Sequence, residues 1–165
     1  MRNACILALV LALGLACSEP ALAQAPGASL VGVWKLTSFV RKEVGSDKAA
    51  NSFGERPAGY RVHTAGGHAF YFFVDRDRKA PEGAVTDADR VQLYKTMTAA
   101  AGTYVVEADR VVFSAEASSG QSMTGKTLTY RFQVAGKTLT MTTDPTRGAP
   151  GAPEVYYVST YERVE

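Results

Sequence analysis

The chain has 165 residues, 46% of them hydrophobic and 21% charged, with 18 Lys and Arg against 16 Asp and Glu. A net charge of +2 is too small to recruit nucleic acid or an anionic membrane by long-range electrostatics, so neither is expected as a partner. The length suits one domain able to bury most of its apolar surface.

The first element is a leader. Met1, Arg2 and Asn3 make a short basic start, residues 4–16 are an unbroken apolar run, and Ala21-Leu22-Ala23 is a small-x-small cleavage signal ahead of Gln24. The run is short for a membrane span. Cys17 follows Gly14-Leu15-Ala16, which raises lipidation as an alternative, but Gly stands where a lipobox usually has Leu. The expectation is a cleaved signal peptide over 1–23, a short linker over 24–29 and one domain over 30–165, in a periplasmic or secreted protein with no stable membrane anchor. Both cysteines, Cys5 and Cys17, fall in the leader, so no disulfide is expected in the mature chain.

From residue 30 onward the pattern has period two. Strands are expected over 30–41, 59–64, 68–75, 102–108, 110–117, 126–135, 137–144 and 154–164. A helix is expected between the third and fourth of them. Thr86 is its N-cap, Asp89 completes a capping-box pattern, and Val91, Tyr94, Met97 and Ala101 recur at helical spacing, so the helix should cover the wall or shut one end. The stretches 43–52, 78–85, 118–125 and 145–153 are rich in Gly, Ser, Pro and charge and are expected to be loops. Thr127, Thr129, Thr138, Thr140 and Thr142 alternate with apolar residues, as in a sheet with one wet and one buried face.

The turn at Ala65-Gly66-Gly67 decides whether the two histidines share a face. A three-residue loop with Gly67 left-handed pairs Thr64 with His68, puts His63 and His68 on opposite faces, and aligns Tyr60 and Val62 with Phe70 and Phe72. That register is preferred, and with it no metal site is expected. Arg61 and His63 are expected to point outward.

Eight antiparallel strands can form a sandwich or a barrel. Ser52-Phe53-Gly54-Glu55-Arg56-Pro57-Ala58-Gly59-Tyr60, running into Thr64-Ala65-Gly66-Gly67-His68, resembles a segment of the lipocalin-like domain family, and Ala101-Gly102-Thr103-Tyr104 is similar to a second motif of that family. Gly32-Val33-Trp34 at the start and Arg163 near the end likewise resemble the two ends of a lipocalin barrel. The resemblance implies an all-β fold: an eight-stranded antiparallel up-and-down barrel with one α-helix inserted between strands 3 and 4. It also implies that Arg163 lies over the Trp34 indole by a cation-π contact, with Gly32 beside it, as a structural closure of the barrel floor. The turn departs from the family in having Ala65-Gly66, and Tyr161 stands where the family often has Trp.

On this reading the barrel encloses a small hydrophobic molecule, and no cofactor, metal or catalytic residue is assigned. The expected pocket wall is Trp34, Leu36, Tyr60, Val62, Phe70, Phe72, Tyr104, Phe113, Tyr130, Phe132, Met141 and Tyr157, with Ser38 and Ser159 inward to hold a polar end. Trp34, the chain's single Trp, would then report ligand entry. Val31, Val33, Phe39, Tyr71 and Phe73 are expected on the outer faces, where a monomer or weak dimer would carry them. Two alternatives accompany this reading: a barrel enzyme of cyclase or isomerase type, and an envelope interaction protein whose barrel core is filled.

Overall fold

The computed structural model describes residues 27–165; the leader expected over 1–23, and the first half of the linker, lie outside the described residues. Ten strands form one sheet: β1 (Gly32–Glu43), β2 (Ala49–Asn51), β3 (Pro57–His63), β4 (His68–Asp75), β5 (Met97–Glu107), β6 (Arg110–Ser118), β7 (Thr127–Ala135), β8 (Thr138–Thr143), β9 (Thr146–Arg147) and β10 (Glu154–Arg163). A helix, α1 (Asp87–Lys95), lies between β4 and β5. Neighbouring strands pair antiparallel in the order β2-β1-β3-β4-β5-β6-β7-β8-β10-β9, and β1 also pairs with β10. That last pairing closes a barrel of eight long strands and removes the sheet's exposed edges. β2 and β9 are short additions inside the loops expected over 43–52 and 145–153.

Closure is tied at one end of the barrel. Trp34 pairs with Arg163 across β1 and β10, and the Arg163 guanidinium carbon sits 4.1 Å from the Trp34 ring centroid. Arg163 donates to the carbonyls of Val31, at 2.8 Å, and Ser29, while the Trp34 indole N–H donates to the Leu30 carbonyl at 2.8 Å. Residues Ala28–Leu30 form a 3-10 turn with Leu30 fully buried, so this part of the expected linker belongs to the floor of the fold. Gly32 has φ 141°, and a Cβ there would run into the Glu165 carbonyl and the Arg163 guanidinium. Only glycine lets the start of β1 and the residues closing β10 approach this closely.

The turn between β3 and β4 takes the expected register: His63 pairs with Ala69, the Thr64 N–H donates to the His68 carbonyl at 2.8 Å, and Gly67 is left-handed at φ 79°. The face that this register buries is the opposite of the one expected. Tyr60, Phe70 and Phe72 are about half exposed, at 49, 49 and 46%, and Val62 lies on their side, whereas Arg61, His63, Ala69, Tyr71 and Phe73 are buried. Both faces of β4 are apolar, so alternation carries no phase there. The phase comes from β1, where Trp34 pairs with Arg61 and Lys35 with Tyr60, a register that the long 44–56 connection leaves unspecified in the sequence.

A second correction arises in β1. Leu36 pairs with Tyr161 and Ser38 with Thr160, so the strand bulges at Thr37 and its inner face shifts by one residue. Phe39, expected outside, packs against the core, and Ser38 leaves the interior. The helix differs as well. Its capping box forms as expected, with Thr86 and Asp89 each bonding the other's backbone N–H, but it ends at Lys95. Thr96 turns its hydroxyl back to the Gln92 and Leu93 carbonyls, and Ala99-Ala100-Ala101 pair with Phe72-Tyr71-Phe70 of β4. Sheet pairing overrides the helix propensity of three alanines. Within α1 no residue is buried, Val91 and Tyr94 are 51 and 52% exposed, and the expected cover of the wall does not form.

Replacing Arg163 by Ala removes the cation-π contact and three charge-assisted hydrogen bonds, to the Ser29, Val31 and Glu165 carbonyls, and should lower unfolding stability by roughly 2 to 4 kcal/mol. Urea denaturation of the two proteins measures this; ligand affinity should not change, because Arg163 does not line the cavity.

Candidate functional site

The interior has two halves. Beside the floor, Leu30, Trp34, Leu36, Val111, Phe113, Leu139 and Met141 pack into a solid core. Toward the other end the barrel is hollow, with a cavity of about 640 Å³ that opens to solvent. Phe39, Phe53 and Tyr157 line its outer part as a ring stack, with centroids 5.5 Å apart for Phe39 and Phe53 and 5.4 Å for Phe39 and Tyr157. Phe53 comes from the loop segment at Ser52–Gly54, which Asn51 braces by donating to the Glu55 carboxylate at 2.8 Å. Leu128, Met123 and several threonines complete the wall.

One charge faces this space from deep in the barrel. Arg61 is 2% exposed and lines the cavity, one strand position across from Trp34 and thus just above the packed floor. Its guanidinium carbon lies 4.6 Å from the Tyr71 ring centroid and 4.9 Å from that of Tyr130, with Tyr161 and Phe73 next at 5.9 and 6.0 Å. Among the described residues no carboxylate forms an ion pair with it, and its Nε has no hydrogen-bond acceptor. The carboxylate on the cavity wall, Asp144, pairs with Arg110 at 3.1 Å. The buried Tyr161 hydroxyl also lacks a partner, while Ser159 donates to the Met141 carbonyl at 3.3 Å.

Burial disfavours the charged guanidinium, but the phenol oxygens of Tyr161, Tyr130 and Tyr71 oppose that more strongly, and the Arg61 pKa is raised. Arg61 therefore stays a cation. Burial raises the Tyr71 and Tyr161 phenols, which keeps both as neutral donors. His63, two residues on, is 1% exposed and has no partner on either ring nitrogen; its ring meets Tyr104 edge to face at 4.9 Å. Burial first, and the Arg61 charge second, push its pKa down to about 3. His68 lies exposed on the other face, so the two histidines are apart. Among the described residues no group of three His, Cys, Asp or Glu gathers to hold a metal, and no helix is long and apolar enough to cross a membrane.

Of the residues expected to form the pocket wall, only Tyr130 and Tyr157 line the cavity. Trp34, Leu36, Phe113 and Met141 are buried in the core, with Tyr104 and Phe132 packed against it. Tyr60, Phe70 and Phe72 are on the outside, and Val62 is on their face of the sheet. Trp34 is not a wall residue, so its fluorescence reports on the floor rather than on ligand entry. Arg61, Tyr71, Phe73, Phe39 and Phe53 were missed as wall residues. For Phe53 a signal existed, a lone aromatic in an otherwise polar loop; for Arg61 none did, because a charged residue between Tyr60 and Val62 reads as outward.

His63 binds a proton readily in the unfolded chain, near pH 6.5, and only near pH 3 in the folded one. Stability is therefore lost as pH falls through this window, by about 1.4 kcal/mol per pH unit at most. Denaturation of the wild type and of His63→Phe at neutral and mildly acidic pH should show the smaller loss in the variant, since the carboxylates common to both cancel.

Residues 31–161 match the model of a family described as a lipocalin-like domain. No curated protein matches the chain. Among solved structures, the crystal structure of a mutant of the fluorescent protein UnaG is similar at 16% identity and a TM-score of 0.35, over 82% of this chain and 96% of that one. So distant a likeness adds nothing to the reading of the cavity.

Proposed function

The chain belongs to the lipocalin-like domain family, and on that footing we propose that it is an exported protein that binds a small hydrophobic molecule inside its barrel. The observation that carries this reading is the cavity itself. Its volume of about 640 Å³ falls within the range of small-molecule sites, the surface it exposes is mostly apolar although threonines and serines share the wall with the aromatic rings, and it opens to solvent from a barrel whose floor is packed. A core meant only for stability would not leave such a space, because each unfilled volume forfeits dispersion contacts. The stacked rings of Phe39, Phe53 and Tyr157 offer flat apolar surface to a ligand entering from the mouth. Export rests on the leader pattern of residues 1–23.

A thermal-denaturation panel of fatty acids, fatty alcohols, retinoids, haem and aromatic dyes tests binding. A ligand present at about 100 times its Kd should add roughly 2.7 kcal/mol of stability, and a panel with no shift anywhere overturns the reading. Export has its own test: N-terminal sequencing of the protein recovered from the periplasm or medium of a bacterial host should begin at Gln24. Retention of Met1 would contradict export, whereas a lipidated Cys17 would contradict only cleavage after Ala23.

A further inference from the structure

We propose that the molecule bound in the cavity is an apolar monocarboxylate, held by its carboxylate on Arg61 and Tyr161 at the cavity's inner end with its apolar body directed toward Phe39, Phe53 and Tyr157. This rests on the cavity-binding reading above and specifies the ligand's chemistry. Arg61 is a guanidinium 2% exposed, with no carboxylate paired to it among the described residues and an Nε that has no acceptor. A buried charge in this condition carries a large desolvation penalty, which a counter-ion with good geometry relieves. The second orphan beside it is also a donor, the Tyr161 hydroxyl.

Two unsatisfied donors on one wall call for a ligand that brings acceptors and one negative charge. The surrounding rings of Tyr71 and Tyr130 attract the cation through their faces but supply no anion. A planar carboxylate fits the forked N–H groups of a guanidinium. A single charge matches a single cation, whereas a doubly charged phosphate would leave a net negative charge in the same apolar space. The rest of the wall decides the body: Phe39, Phe53, Leu128 and Tyr157 present apolar surface outward from Arg61.

The experiment compares decanoate with decan-1-ol, which share a tail and differ in the head, by calorimetric titration of the full mature protein and of Arg61→Met. The wild type should bind decanoate at least about tenfold more tightly than the alcohol, and Arg61→Met should lose that preference while still binding the alcohol. Equal affinities in the wild type, or a preference that survives in Arg61→Met, overturn the carboxylate assignment and leave the cavity reading standing. Binding of neither probe overturns both. If Arg61→Met does not fold, the wild type alone decides through carbon NMR of carboxyl-labelled decanoate: the bound acid should keep its ionised chemical shift from about pH 7 to about pH 4, where the free acid protonates. A bound signal that titrates with the free acid overturns the assignment.

Discussion

Pairing of β1 with β10 is the constraint on which the rest of the molecule depends. It turns a ten-stranded ribbon into a closed wall, and its end joins Trp34 to Arg163, among the longest-range contacts of the described chain. Closing so large a loop carries an entropic cost that local contacts cannot offset. The floor concentrates several favourable interactions at that one seam: indole against guanidinium, three carbonyls accepting from the same guanidinium, and the absence of a side chain at Gly32. With the ends tied there, the β1 register sets which face of β3 and β4 turns inward.

That register has a chemical consequence. Because Trp34 pairs with Arg61, the inner face carries a cation into an otherwise oily space. Four aromatic rings surround it within about 6 Å, and burial raises the Tyr71 and Tyr161 phenols so that they remain neutral beside the charge. The rings make a buried guanidinium tolerable without neutralising it. Burial, with the Arg61 charge second to it, suppresses protonation of His63, so the inner end of the cavity holds one fixed positive charge near neutrality rather than a titrating pair.

Sequence patterning captures the elements better than their faces. Eight long strands, the Thr64 to His68 turn and the capping box at Thr86 are all legible because each rests on local chemistry: a turn residue, a cap or a short alternation. Three features were not. The side of β3 and β4 that faces inward depends on a partner strand beyond a long loop. The bulge at Thr37 inserts one residue with no Gly or Pro to mark it. The alanines after α1 pair in a sheet against their own propensity because β4 offers a complete ladder. Each failure is a case in which non-local pairing determined the outcome, and the first displaced most of the expected pocket wall.

The division of the interior into a packed half and a hollow half explains why a barrel without disulfides among its described residues can keep a cavity. Leu30, Trp34, Phe113, Leu139 and Met141 bury their side chains completely at the floor, so the hydrophobic contribution does not depend on filling the open half. The open half is then free to retain features that oppose stability: an uncompensated cation, an unpartnered phenol and empty volume. All three lie together around Arg61 and the space it faces. A ligand that fills the volume and accepts those hydrogen bonds relieves them at once, so affinity at this site and stability of the barrel draw on the same unsatisfied groups.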